Sequence, residues 1–306
     1  MSWWELTVEC SREQLEHTEN TLLELGALSL TISDAQDEPI YEPLPGETPT
    51  WSPSTVTGLF EQTQTLEQLY DDLVQKLPEE LVSTIRKHQL KDQVWERIFL
   101  ERYHPMQFGE KLWICPSWLE PPDTDACNII LDPGIAFGTG SHPTTALCLE
   151  FLDKHPPVNK SVLDFGCGSG ILAIAAHKLG ALKTCCIDID PQAIESTRNN
   201  ALRNNIDPAL WQIALPEKIT IQPVEYLMAN ILSGPLIQLE PKFASLTLAG
   251  GQLLLSGILT DQADSIIKAY AKDFILDPVK IRDNWCCVSG IRKPVSDTQQ
   301  GLDRHE

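Results

Sequence analysis

Residues 162–180 read VLDFGCGSGILAIAAHKLG, and this stretch decides the fold. A short apolar strand pattern ends in Asp164 and Phe165, a loop holds Gly166, Cys167, Gly168, Ser169 and Gly170, and a helical apolar pattern starts at Ile171. Three glycines in five positions let the main chain come within contact distance of a ligand, and the helix N-terminus beside them offers unpaired N–H groups. The pattern suits a nucleotide-binding turn. A tight strand-to-helix connection without a ligand would also use glycines, so the turn has to be read with its neighbours.

The next strand pattern ends in CCIDID, placing Asp188 22 positions after Gly166, with Pro191 opening the following helix. In a βαβ unit that offset brings a carboxylate to the ribose hydroxyls of an adenosine lying across the glycine turn. Asp190 reads as the N-cap ahead of Pro191 rather than as a ligand. Gly170 follows Gly168 by two positions, and Ile171 stands where the dinucleotide fingerprint GxGxxG carries its third glycine. This spacing favours a methyl donor over a dinucleotide.

Upstream, LDPGIAFGTGSHPTT gathers Gly134, Gly138 and Gly140 with Ser141, Thr144 and Thr145 between a strand and a helix. Its glycines suit a loop that folds over a ligand, and Ser141 or His142 precedes Pro143 at the helix start. His142 at that place reads as a structural residue ahead of a catalytic base, and Thr144 and Thr145 can be first-turn residues only. Downstream, MANILSGPL places Asn230 after a strand, at the C-terminal edge where open α/β sheets hold ligands. Its carboxamide oxygen can accept a hydrogen bond from an amine, and an Asn that merely satisfies a turn is the alternative.

From Trp113 onward, apolar strand patterns alternate with amphipathic helices: Asn128 to Leu131, a helix from Pro143, Ser161 to Phe165, a helix from Ile171, Thr184 to Asp188, then Pro191 to Arg203. That order predicts a mostly parallel sheet covered on both faces. The first third differs. Trp3 to Cys10 alternates as a strand, Ser11 is a candidate cap for a helix ending at Gly26, and Ala27 to Ser33 is a second strand. Val56 to Glu61, a helix over Leu66 to Leu77 and a strand near Val82 to His88 follow, a β-α-β-β-α-β order typical of a small split βαβ domain.

Composition narrows the function classes. The formal net charge is −20, and residues 1–92 carry 18 acidic against 5 basic side chains, about −13, so the excess sits mostly in the first third. Such a balance repels phosphate backbones, argues against direct nucleic-acid binding and suits a basic partner, although solubility alone also explains it. The nine cysteines include no CxxC. The adjacent pairs Cys185/Cys186 and Cys286/Cys287 are expected in strands, pointing to opposite faces as reduced packing residues, and no structural metal is expected. Apolar runs fall well short of the roughly 18 residues of a membrane span. The start MSWWELTVEC lacks the basic and apolar regions of a secretory signal, which predicts a cytoplasmic protein.

Taken together, DPGIAFGTGSHPTT, VLDFGCGSGILAIAA, IDIDPQAI, ANILSGPL and LSGILTDQA resemble, in order, the successive motifs of the PrmA family, methyltransferases of ribosomal protein L-eleven. PLPGE at Pro43 to Glu47 and HPMQFGEKLWICPSW at His104 to Trp118 extend the resemblance. It implies a Rossmann-like, seven-stranded class I methyltransferase domain at 107–293, preceded by a small α+β ferredoxin-like domain at 1–90 that recognises the substrate. A helical linker at 91–106 would join them, and 294–306 would be a disordered tail. The cofactor implied is S-adenosyl-L-methionine, with Thr145, Gly166, Gly168, Asp188 and Asn230 as its contacts and Asn230 also orienting the amine, with no dedicated base. The implied substrate is a basic ribosomal protein, modified on its N-terminal amine and lysine side chains. The sequence departs from the family pattern at VEYLMANIL, where Glu225 and Tyr226 replace an Ala-Asp-Val approach to Asn230, and at WERIFLERY, with Phe99 and Leu100 in the linker.

Overall fold

The computed structural model describes residues 3–36, 51–62, 65–90, 103–132, 140 and 142–294. The chain divides into two compact units, Met1–Arg102 and Tyr103–Glu306. The expectations for Pro43 to Glu47, for Gly134, Gly138 and Ser141, for Phe99, Leu100 and most of the 91–106 linker, and for the tail beyond residue 294 lie outside the described residues.

In the first unit, β1 (Trp3–Cys10), α1 (Leu15–Glu24), β2 (Ser29–Asp34), β3 (Ser54–Glu61), α2 (Leu66–Lys76), α3 (Glu79–Val82) and β4 (Arg86–Leu90) follow in order. Alternation along β1 buries Trp4, Leu6, Val8 and Cys10 on one side of an antiparallel sheet ordered β2-β3-β1-β4. They pack with Leu15 and Leu22 of α1 and with Leu69 and Leu73 of α2. Thr65 caps α2 in a reciprocal box with Gln68.

Two local expectations fail in this unit. Ser11 does not cap α1, because a turn closed by the Gln14 N–H on the Ser11 carbonyl intervenes and Gln14 takes the N-cap position. The closing strand starts at Arg86 rather than near Val82, because Glu79 and Glu80 follow Pro78 into a short helix whose N-terminal dipole their carboxylates complement.

The second unit begins with β5 (Met106–Phe108), β6 (Leu112–Cys115) and β7 (Cys127–Ile130), a small sheet of its own. Then come α4 (Pro143–Lys154), β8 (Ser161–Phe165), α5 (Ile171–Lys178), β9 (Lys183–Ile187), α6 (Pro191–Arg203), β10 (Trp211–Ala214) and β11 (Val224–Asn230). The chain continues through α7 (Ser233–Leu246), β12 (Thr247–Leu259), α8 (Ala263–Tyr270), β13 (Phe274–Leu276), β14 (Lys280–Arg282) and β15 (Trp285–Arg292). The central sheet runs β10-β9-β8-β11-β12-β15-β13, with β14 pairing β15 off that line, so seven strands lie in sequence and an eighth beside them. The first five are parallel, and β15 is antiparallel to β12, β13 and β14.

Successive residues of each central strand feed two different cores. Val162, Tyr226, Met228 and Leu254 pack with α4 and α5, whereas Leu163, Leu227, Ala229, Leu253 and Leu255 pack with α7 and α8. Cys186 and Cys287 belong to the first core and Cys286 to the second, with Cys185 packed on its rim, so each cysteine pair straddles the sheet as expected. All nine cysteines are free thiols. Among the described residues no helix is long and apolar enough to cross a membrane.

From β8 the chain builds outward through β9 to β10, then returns to the other side of β8 for β11. That reversal lies at the carboxyl ends of β8 and β11, the place where doubly wound sheets hold their ligands. Leu163, fully buried in β8, anchors this junction. Leu163→Ala is expected to lower unfolding stability by roughly 2–5 kcal/mol in urea titration, as a cavity at an unyielding site does.

Candidate active site

The turn after β8 holds Gly166, Gly168 and Gly170 at φ +82°, +55° and +79°. Side chains with a Cβ avoid that left-handed region, which is why the turn is written in glycine. The N–H groups of Gly166 and Cys167 both donate to the Ile187 carbonyl, at 2.7 and 3.0 Å, and bind the turn to the end of β9. A Cβ on Gly166 would collide with Cγ2 of Ile231, and one on Gly257 with the Ile231 carbonyl. Ile231, just past β11, is therefore clamped between the turn and a glycine of β12.

Asp188 follows β9 immediately. Its Oδ2 accepts from the Gly168 N–H at 2.9 Å and its Oδ1 from the Asp190 N–H at 3.0 Å. The side chain is half-buried, and each carboxylate oxygen keeps further acceptor capacity. Next to it Ile189 is 84% exposed, a large aliphatic side chain left on the surface between two aspartates. Asp190 caps α6, its Oδ1 accepting from the Gln192 N–H at 2.8 Å, as expected.

Asn230 ends β11 on the other side of β8. Its Nδ2 donates to Thr145 Oγ1 at 3.3 Å, and its Oδ1 is buried with no hydrogen-bond partner among the described residues. Thr145 itself is fully buried in the first turn of α4. His142 is the N-cap of that helix, with Nδ1 3.3 Å from the Thr144 N–H nitrogen and 2.7 Å from its hydroxyl. Its ring meets Trp285 edge-on at 4.9 Å between centroids, and burial lowers its pKa, which keeps the ring neutral near pH 7. The structural reading of His142 accords with this cap.

Gly166, Gly168, Asp188, Asn230 and Thr145 thus gather around one sheet edge. Glu225 and Tyr226 do not. Glu225 lies at the opposite end of β11, where its Oε2 accepts from the Ser161 N–H at 3.0 Å, and Tyr226 is buried in the core. An apolar groove along Ala201, Leu202, Ile206, Trp211 and Ile213 lies on the flank of α6 and holds none of these polar groups.

The profile of the family described as "Ribosomal protein L11 methyltransferase (PrmA)" matches residues 2–293. The chain belongs to the PrmA family. Among its relatives, a ribosomal protein L11 methyltransferase of Azotobacter vinelandii is 48% identical over 297 residues, covering 96% of this chain and 100% of that one. One of Pasteurella multocida is 48% identical, covering 95% and 99%. The crystal structure of the ribosomal protein L11 methylase of Lactobacillus delbrueckii subsp. bulgaricus superposes with a TM-score of 0.56 at 34% identity, covering 63% of this chain and 100% of that one. The α/β methyltransferase fold with a mixed sheet is therefore that of this PrmA-family chain.

Sequence reasoning passed over Asp164, which stands fully buried inside β8. Its Oδ2 accepts from the Ala173 N–H at 3.1 Å, satisfying one of the orphan donors of the first turn of α5, while its Oδ1 has no partner among the described residues. The signal was an aspartate in an otherwise apolar strand. Burial pushes its carboxyl up to about 7, the Ala173 hydrogen bond opposes this, and the charge of Asp188 adds to it.

Because the folded state holds this proton more tightly than the unfolded chain, the stabilisation is complete below the unfolded value near 3.8 and is lost as pH rises through about 7. Asp164→Asn removes the titration. Between pH 5 and 8 the variant's stability relative to the parent is expected to rise by roughly 2–3 kcal/mol in urea titrations, and parallel curves for the two proteins would refute the shift.

Proposed function

We propose that this chain transfers methyl groups from S-adenosyl-L-methionine to amino nitrogens of ribosomal protein L11, the N-terminal α-amine and lysine side chains. The observation that carries the reading is the convergence on one sheet edge of the left-handed glycine turn, the half-buried Asp188 and an Asn230 Oδ1 without a partner among the described residues. A buried amide oxygen without a donor costs on the order of 1–3 kcal/mol, a cost that a bound N–H group offsets. The residues fit the cofactor. The glycine turn would meet it through backbone, Asp188 would accept from the ribose hydroxyls, and exposed Ile189 would offer an apolar face to the adenine. Thr145, whose hydroxyl accepts from the Asn230 amide, and Asn230 itself would be the further contacts.

When bound, the cofactor supplies an electrophilic methyl group on a sulfonium. The protein's part is then geometric: Asn230 Oδ1 accepts from the substrate amine and holds its lone pair towards that carbon. Positioning of this kind contributes roughly 7–11 kcal/mol. The amine has to be neutral, which at pH 7 costs about 1 kcal/mol for an α-amine but about 4.6 kcal/mol for a lysine. The N-terminal amine is the easier first target, and water receives the proton without a dedicated base.

The first unit supports a recognition role. Its β-α-β-β-α-β core, sheet order β2-β3-β1-β4 and acidic excess fit a ferredoxin-like domain, at 1–90, that docks a basic protein. Residues 91–106 would link it to the catalytic domain at 107–293. The same acidity disfavours direct nucleic-acid binding, and a ribosomal protein is met in the cytoplasm.

Incubation of the protein with the cofactor and free L11, beside an unrelated basic ribosomal protein, is expected to add methyl masses to L11 alone, located by fragmentation on the α-amine or lysines. No added mass despite calorimetric cofactor binding would withdraw the substrate. Asn230→Ala is expected to lower kcat about ten- to a hundredfold, on the order of 1.4–2.7 kcal/mol. A defect confined to cofactor affinity would end the orienting role.

A further inference from the structure

The cofactor turn is held from behind by α6. Thr197 is fully buried on the face of α6 that meets the turn, and its hydroxyl donates to the Gly168 carbonyl at 3.0 Å and lies 3.3 Å from the Cys167 sulfur. Its methyl group sits so close to Gly170 that a Cβ there would approach Thr197 Cγ2 to 2.8 Å. One turn on, Asn200 Nδ2 donates to the Ser169 carbonyl at 2.9 Å, with the side chain 6% exposed. Two consecutive carbonyls of the turn, those of Gly168 and Ser169, are therefore tied to one helix face by side chains at positions i and i+3.

The peptide plane gives this a consequence at the ligand side. In a trans peptide the C=O and the following N–H point in opposite directions, so anchoring the Gly168 oxygen on α6 directs the Ser169 N–H away from that helix. It also keeps two carbonyl dipoles off the ligand side of the turn. The Gly168 N–H is fixed independently by Asp188 Oδ2. Each plane of the central turn is thus set by one side chain, and the residue that sets the plane between Gly168 and Ser169 is Thr197.

We propose that Thr197, with Asn200 beside it, is a positioning residue for cofactor binding: its hydroxyl fixes the peptide between Gly168 and Ser169 and so the backbone surface that the cofactor meets. The proposal rests on the reading of this turn as the cofactor site. It acts through the main chain alone, and Thr197 touches neither cofactor nor substrate.

The test is calorimetric titration of S-adenosyl-L-methionine into the full-length parent and into the Thr197→Val and Thr197→Ser variants, with Tm recorded for each. Val keeps the shape and removes the donor; Ser keeps the donor and removes the methyl group. The expected result is a Kd about tenfold higher for Thr197→Val, the loss of one buried hydrogen bond, and a Kd within about twofold of the parent for Thr197→Ser. Should Thr197→Val not fold, Asn200→Ala probes the adjacent carbonyl, with a weakened Kd expected there too. A parental Kd in the Val variant, whatever its Tm, overturns the proposal, because the hydroxyl then contributes to stability only. Equal weakening in Val and Ser overturns it as well, by assigning the effect to packing. Absence of binding in the parent itself removes the reading of the turn as the cofactor site and the proposal with it, an outcome distinct from a parent that binds and a variant that binds equally well.

Discussion

A backbone that turns left-handed three times in five residues is the constraint on which the site depends. Only glycine tolerates it without strain, and Gly166, Gly168 and Gly170 occupy those places. The turn is then fixed from three sides. Ile187 accepts two of its N–H groups, Asp188 accepts a third, and Thr197 and Asn200 hold two of its carbonyls. Nearly every polar group of the turn has a structural partner, so a ligand meets a surface whose shape exists before it arrives. Preorganisation of that kind lowers the ordering cost of binding.

The edge is also electrostatically one-sided. Asp164 lies inside β8, and Asp188 and Asp190 lie at the end of β9. Asp164 is the costly member, a buried carboxyl whose hydrogen bond to α5 only partly offsets its desolvation. Its position at a helix N-terminus, the end that favours negative charge, joins strand, turn and helix in one interaction. Asp188 and Asp190 at the end of β9 suit a cationic cofactor.

The packing places this chain's two departures from the family pattern on β11, Glu225 and Tyr226, away from the candidate site. A strand alternates its side chains between faces and extends about 3.3 Å per residue, so five residues carry Glu225 roughly 16 Å from Asn230. There it ties β11 to the start of β8 through Ser161. Tyr226 fills the core beneath α4 and reaches the His155 carbonyl.

Periodicity and punctuation were enough to read β1, β8 and α6 at their observed bounds and α5 at its start, because local patterns of apolar residues, glycine and proline act over a few positions. Asp188, Asp190, Asn230 and His142 were legible for the same reason, each standing at an element boundary that the sequence marks. The small strands β5 and β6, the off-line β14 and the late start of β4 were not, whereas β7 was read one residue late, since short elements are decided by pairing partners distant in the chain. Thr197 and Asn200 read as ordinary polar positions of an amphipathic helix; only the tertiary structure turns that face onto the glycine turn. The orphaned Asn230 oxygen and the buried Asp164 carboxyl likewise follow from burial, which no local pattern specifies. The residues at the edge were determined by the sequence, whereas which of them hold one another, and which are left with a free lone pair, was decided by packing across the sheet.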